Sequence, residues 1–411
     1  MSSDAFRHPM SKTLPRVGVR IPGWATFATP VFEGILDYMR LHGRWSLRTE
    51  NNAEGELETV RIDAGWTGEG VITFRCSAAE AAAWAERGVA VVNISGEGET
   101  GPHPRVIPDS ADIGRLAAEH LTESGLASFA FIGRAATHYN RPEWAPGPRR
   151  YARERFASFS AALATKGFRP ESLMLPPRPY EDPSTWAAVL DDAKRFLEAL
   201  PKPCGVFAAD DPLGAVVIRA AESLGLRVPE DVSVVGFGDD AVFCNLTTPA
   251  LSSVCYPGRE LGFEAARVLA RRMAGISGIP AETLIPVTRV KLRESSDFLA
   301  ITDREVARLV RLIRQRAPSD TLRVAELADH TPLSASTLKS RFNAALGHGP
   351  KKEILLTRIR HLRHLLTDSN LSTEAIARSM DFPSASEMAR FLERHTGEKI
   401  AAVRGHARDY L

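Results

Sequence analysis

Little in this 411-residue chain suits covalent or metal chemistry. It has four cysteines, Cys76, Cys204, Cys244 and Cys255. None has metal-type spacing, so neither a zinc site nor a disulfide framework is expected. They read as buried thiols of a reducing cytoplasm. The chain has no nucleophile motif, metal-ligand set or phosphate loop. No metal or cofactor is therefore expected, and no enzyme. No apolar run approaches 18 residues, which excludes a helical membrane span. The first residues lack the apolar stretch of a secretory signal, so 1–15 read as a loose tail.

Net charge is also small, +2 over the whole chain, but it is unevenly placed. From Ala300 onward there are 19 Lys+Arg against 13 Asp+Glu; before it, 33 against 37. A basic C-terminal part on a mildly acidic body suits nucleic-acid contact, although a solvated surface can carry such an excess by chance.

From Arg16 to Leu292 short apolar strands alternate with helices. RVGVRI, GVITF, VAVVNIS, FAFIG, CGVFAAD and VSVVGFG read as strands. Helices are expected over Pro30–Leu41, Ala111–Ser124, Arg153–Ala164, Trp186–Leu200, Leu213–Leu224 and Arg259–Met273. Solid apolar strands between helices indicate parallel sheets covered on both faces. Some 275 residues exceed one such sheet, so two α/β lobes with a cleft between them are expected.

The region 303–411 reads differently. Val324, Leu327 and Ala328 form one apolar face, Thr331-Pro332 breaks the helix, and Ser334 can cap the next one. Leu338, Phe342 and Leu346 recur four apart; Ser336, Thr337, Lys339, Ser340 and Asn343 lie opposite. The plan repeats with Ile376, Ala377 and Met380, a turn at Phe382-Pro383, and an S-x-x-E capping box at Ser384 and Glu387. Met388, Phe391 and Leu392 then face inward, leaving Ala385, Ser386, Glu387 and Arg390 outside. Two helix-turn-helix units joined by a helix over Lys351–Leu366, roughly 24 Å long, can enter neighbouring major-groove segments. A further T-x-x-E box at Thr302 and Glu305 places a helix start there.

This stretch resembles the DNA-binding domain of the AraC/XylS family through Ala328, Leu333-Ser334, Leu338, Phe342, Gly347, Pro350, Arg358, Ile376-Ala377, Phe382, Ser386, Arg390, Gly397 and Arg404. Asp381 departs from the pattern, standing where the family has a turn glycine. LGLRVPEDVSVVGFGDD and VIPDSADIGRLAAEHLTESG resemble LacI-type and periplasmic sugar-binding proteins. The pairing is similar to xylose-responsive activators. The resemblance implies an α/β two-lobed periplasmic-binding-protein-like sensor with parallel sheets, followed by an all-α double helix-turn-helix domain. It sets lobe one at about 16–131 and 251–292, lobe two at about 132–250, a linker at 293–302, and the DNA-binding domain at 303–411.

The same resemblance implies a ligand between the lobes. Arg155 occupies the arginine of an R-x-x-G-F pattern in which Ser158 replaces the glycine. Asp210 and Asp239 follow strands whose C-terminal ends face the cleft. Trp24 and Phe27 follow the first strand and can stack on a sugar face. Each has a plainer reading: a solvated helix arginine, N-caps or turn residues, and core aromatics. Gly238 stands where the family carries an acidic residue. The expected function is a ligand-gated, DNA-binding transcription factor, an activator of sugar genes working as a cytoplasmic homodimer. Its partners would be an operator, a sugar-like effector and RNA polymerase. A repressor, a non-sugar effector, or a sugar-acting enzyme using Asp210 and Asp239 are the alternatives.

Overall fold

The computed structural model describes residues 14–21, 26–49, 62–97, 103–135, 149–176, 184–297, 303–316, 322–368 and 371–408. The chain separates into two compact units, 1–298 and 299–411.

In the first unit the chain runs β1 (Arg16–Arg20), α1 (Ala28–His42), β2 (Ser46–Thr49), β3 (Gly70–Thr73), α2 (Ala78–Glu86), β4 (Ala90–Asn93) and β5 (Arg105–Pro108). It continues through α3 (Ser110–Glu123), β6 (Ser128–Arg134), α4 (Arg150–Ala164), β7 (Glu171–Leu175), α5 (Ser184–Ala199), β8 (Cys204–Ala208) and α6 (Asp211–Ser223). Then come β9 (Val232–Gly238), α7 (Ala241–Asn245), β10 (Ser252–Cys255), α8 (Gly258–Met273), β11 (Glu282–Ile285), β12 (Val290–Lys291) and a short 3₁₀ turn, Glu294–Ser296.

Two six-stranded sheets result, ordered β11-β5-β4-β3-β1-β2 and β12-β10-β9-β8-β6-β7. Every pairing is parallel except β12 against β10. The central strands β3 and β8 are buried along their whole length, as strands covered on both faces must be. Helices α1 and α8 cross very closely on the first sheet. A Cβ at Gly34 would lie 1.9 Å from the Arg259 carbonyl oxygen, and one at Gly262 2.0 Å from that of Val31. Only glycine fits at that crossing.

The lobe boundaries differ from those expected. Ile113, Ala117 and Leu121 of α3 belong to the core of the second sheet, together with Phe129 and Phe131 of β6. The chain therefore first crosses between lobes at Pro108–Ser110, not near residue 131. It returns between β10 and α8, which packs on the first sheet, and β12 brings it back to the second sheet. Residues 293–296 are packed structure too: Ser295 and Ser296 are buried, and the Ser295 hydroxyl donates to the Val234 carbonyl at 2.7 Å.

The second unit holds α9 (Arg304–Arg316), α10 (Val324–Asp329), α11 (Ala335–Leu346), α12 (Pro350–Asp368), α13 (Thr373–Ser379), α14 (Ala385–Thr396) and α15 (Ile400–Arg408). It has two small cores. One gathers Val306, Leu309, Ile313, Leu327, Leu338, Phe342 and Ile354. The other gathers Leu362, Leu366, Ile376, Met380, Met388 and Leu392. Helix α12 contributes to both, so it is the strut between them. Thr302 lies outside the described residues; the cap of α9 is Asp303, whose Oδ1 accepts from the Glu305 and Val306 amides.

Candidate effector cleft and nucleic-acid interface

The cleft of the first unit is formed where strands of both sheets end. Phe74 and Arg75 follow β3, Ser95–Glu97 follow β4, Arg134 ends β6, Asp210 follows β8 and Gly238 ends β9. These are the C-terminal ends of parallel strands, where open α/β sheets bind ligands. The cavity measures about 630 Å³, within the range of small-molecule sites.

Four arginines line it: Arg75, Arg134, Arg149 and Arg155. Each guanidinium lies over an aromatic ring of the same wall: Arg75 on Phe74, Arg134 on Trp186, Arg149 on Tyr151, and Arg155 on both Tyr151 and Phe237. Stacking holds a planar guanidinium while its edge stays available for hydrogen bonds. Phe27 packs between Phe74 and Tyr256, with ring centroids 5.0 and 5.3 Å away.

The carboxylates divide into two kinds. Glu97 is held by Arg75 at 2.6 Å and faces Arg149 at 3.5 Å. Asp210 lies 3.6 Å from Arg149 and caps α6 by accepting from the Leu213 amide. Asp211 is different, being wholly buried. Its oxygens accept from the Ser253 hydroxyl at 2.6 Å and the Asp240 amide at 2.8 Å. Burial pushes its carboxyl up to about 7, because water no longer stabilises the charge. Asp240 caps α7 and takes a hydrogen bond from the Thr26 hydroxyl.

Of the residues expected to meet the ligand, Phe27, Arg155 and Asp210 line the cavity, and Trp24 lies outside the described residues. Asp239 does not join them. It sits at φ 52°, and its carboxylate turns to Arg293 at 2.5 Å and Lys291 at 3.6 Å. The acidic groups near this strand end are Asp240 and Asp211 instead. Gly238 has a physical reason: at φ 135° a Cβ there would lie 2.9 Å from Asp211 Oδ2. Sequence reasoning missed Arg75, Glu97, Arg134, Arg149 and Tyr151. Arg134 ends β6, and Arg75 and Glu97 lie within four residues of the ends of β3 and β4, which is the signal that could have found those three.

In the second unit Ser336, Thr337, Lys339, Ser340 and Asn343 are exposed along α11. The Ser334 hydroxyl caps α11 at the Thr337 amide and contacts the Ser336 and Thr337 hydroxyls. On α14, Ser386, Glu387 and Arg390 are exposed, whereas Ala385 is partly buried against the core. Ser384 caps the Glu387 amide. The expected reciprocal bond is replaced by an ion pair, Glu387 to Arg390 at 3.0 Å. Asp381 adopts the left-handed turn, φ 56°. Arg358 of α12 fixes that turn, donating to the Met380 carbonyl at 2.8 Å and lying over Phe382.

Known proteins divide the chain in the same way. Residues 118–296 match the periplasmic binding protein-like domain family, and 327–406 match a helix-turn-helix domain family. The xylose operon regulatory protein of Escherichia coli K12 is 27% identical over 364 residues, covering 86% of this chain and 88% of that one. Its Haemophilus influenzae counterpart is 28% identical over 289 residues, 69% and 70% of the two chains. The solved structure of a xylose-binding transcription activator matches with a TM-score of 0.66 at 24% identity, over 97% of this chain and 99% of that one. With a sensor-type cleft in the first unit and paired helix-turn-helix units in the second, the chain has the domain pair of an AraC-type DNA-binding regulator with a periplasmic-binding-protein-like sensor.

Proposed function

We propose that the chain is a transcription activator of sugar-uptake or catabolism genes, and that its effector is a small, pentose-like saccharide held in the cleft. The observation that carries this reading is the wall of arginine forks, carboxylates and aromatic faces around one cavity. Guanidinium donors and carboxylate acceptors suit vicinal hydroxyls. The names of the two curated relatives support a pentose. The effector acts by favouring one arrangement of the two lobes, since a ligand shifts only states that it binds unequally.

The DNA partner is a duplex operator read by the exposed faces of α11 and α14. Ser336, Thr337, Lys339, Ser340 and Asn343 are assigned to the first head, and Ser386, Glu387 and Arg390 to the second. The protein works as a cytoplasmic homodimer that contacts RNA polymerase and has no enzymatic step. The enzyme reading needs Asp210 and Asp239 as an acid–base pair, and Asp239 is engaged by Arg293 away from the cavity lining. One observation favours a second reading, a regulator of this architecture with a changed effector: Gly238 replaces the acidic residue expected there.

A thermal-shift screen against pentoses, hexoses, uronic acids and sugar alcohols tests the proposal. A ligand at 100 times its Kd adds about 2.7 kcal/mol to the domain that it binds. A shift with one sugar class is the expected result. No shift with any class would defeat the saccharide reading.

A further inference from the structure

The charges of the cleft do not all find partners within it. Glu97 is engaged by Arg75 and Arg149, and Asp210 by Arg149. Asp240 is engaged as a helix cap and by Thr26. Asp211 is sealed behind Gly236 and Gly238, bonded to Ser253 and the Asp240 amide. None of these carboxylates pairs with Arg155.

Arg155 is the exception among the buried groups. It is only 6% exposed. Its Nη1 donates to the Ala209 carbonyl at 2.6 Å, and its Nε has no hydrogen-bond partner among the described residues. Glu154 beside it is taken by Arg150 at 2.5 Å. Rings of Tyr151 and Phe237 lie against the guanidinium, at 4.5 and 3.9 Å from their centroids to Cζ. Loss of water pulls its pKa down to about 10, although the nearby Tyr151 and Asp210 act to raise it. A buried charge left unpaired costs several kcal/mol, and a ligand that pairs it recovers much of that cost.

We propose that the effector is an anionic saccharide whose acidic group meets Arg155 in the cleft. This rests on the reading of the cleft as a saccharide site and names the class within it. A planar carboxylate can take the guanidinium edge bidentately. The hydroxyls of the same molecule then face Asp210, a carboxylate acceptor that suits hydroxyl donors. A sugar phosphate offers the same chemistry at Arg155.

Isothermal titration of the full chain decides the matter. The probes are D-glucuronate, its neutral methyl ester, D-xylonate, D-xylose and D-glucose 6-phosphate. At least one acid is expected to bind tenfold or more tightly than its neutral counterpart. Arg155→Met should reduce that ratio to threefold or less, while Arg155→Lys should keep part of it. An advantage for the carboxylates identifies a sugar acid, and one for the phosphate alone identifies a sugar phosphate. D-xylose or the methyl ester binding as tightly as the acids would overturn the anionic class and leave the saccharide reading standing. Failure of every probe to bind would overturn both. The ratio in the unaltered chain stands even if a variant does not fold.

Discussion

Arg293 holds Asp239 at 2.5 Å, so a residue expected to bind ligand instead fastens the end of the sensor unit. Arg293 also donates to the Leu251 carbonyl at 2.9 Å, and its amide donates to the Ser252 hydroxyl at 2.8 Å. Sequence spacing placed Asp239 at a strand end and residue 293 in a linker. The left-handed backbone at Asp239 turns the side chain away from the cleft.

Breaking this pair should cost stability, not effector affinity. Arg293→Ala leaves a mostly buried carboxylate with Lys291, at 3.6 Å, as its nearest remaining cation and should destabilise the first unit by about 2 kcal/mol. Urea denaturation measures the loss, and calorimetry with the effector should give an unchanged Kd. A tenfold weaker effector would return Asp239 to the binding site.

Asp381 carries the positive φ of its turn without a glycine. Asp381→Ala should lower stability by about 1 kcal/mol, since alanine lacks the local tolerance of aspartate for this conformation. Asp381→Gly should be nearly neutral, because relief of strain is offset by about 0.4–1 kcal/mol of added unfolded-chain entropy. Equal melting temperatures for the two variants would show that the turn bears no strain.

The raised carboxyl of Asp211 sets a pH dependence. Its folded value is about 7 against an ordinary 3.8, so between these values the folded state keeps a proton that the unfolded chain releases. Stability from this group therefore falls as pH rises from about 4 to 7, by about 1.4 kcal/mol per unit. It is flat above 7. Asp211→Asn should flatten that slope in melting curves taken from pH 5 to 8. An unaltered slope would assign it to other groups.

The two helices proposed to face DNA make a paired prediction. Lys339→Ala and Arg390→Ala should each weaken operator binding and reduce the salt slope by about 0.9 if each cation meets a phosphate. Glu387→Gln should act oppositely, because Glu387 now engages Arg390 at 3.0 Å. Filter binding across a salt series measures all three, with circular dichroism to confirm folding. Unchanged affinity for both alanine variants would remove these helices from the interface.

Much of this was legible in the sequence because it depends on local periodicity. Solid apolar strands gave the sheets, and the serine caps at Ser334 and Ser384 gave α11 and α14 their starts. Phe27, Arg155 and Asp210 could be placed by the strand-end rule and by resemblance. Arg149 and Tyr151 could not, because their position follows from α4 beginning at Arg150, three residues earlier than its apolar pattern suggests. The lobe boundary at Pro108–Ser110 was hidden for a related reason. An amphipathic helix such as α3 records that it has a buried face, not which sheet lies beneath it.

The order in which the strands are made has a consequence for biosynthesis. The edge strand β11 pairs with β5, although about 175 residues, most of them the other lobe's, intervene. Helix α8, which seats against α1, β3, β4 and β5, is also late. At roughly 5–20 residues per second on the ribosome, the first lobe waits about nine to thirty-five seconds with an apolar face uncovered. During that interval Val31, Ile35 and Val92 lack the leucines of α8 that will cover them. The nascent sensor is thus a natural client for holding chaperones, and faster translation or chaperone depletion should reduce soluble yield before either alters the finished fold.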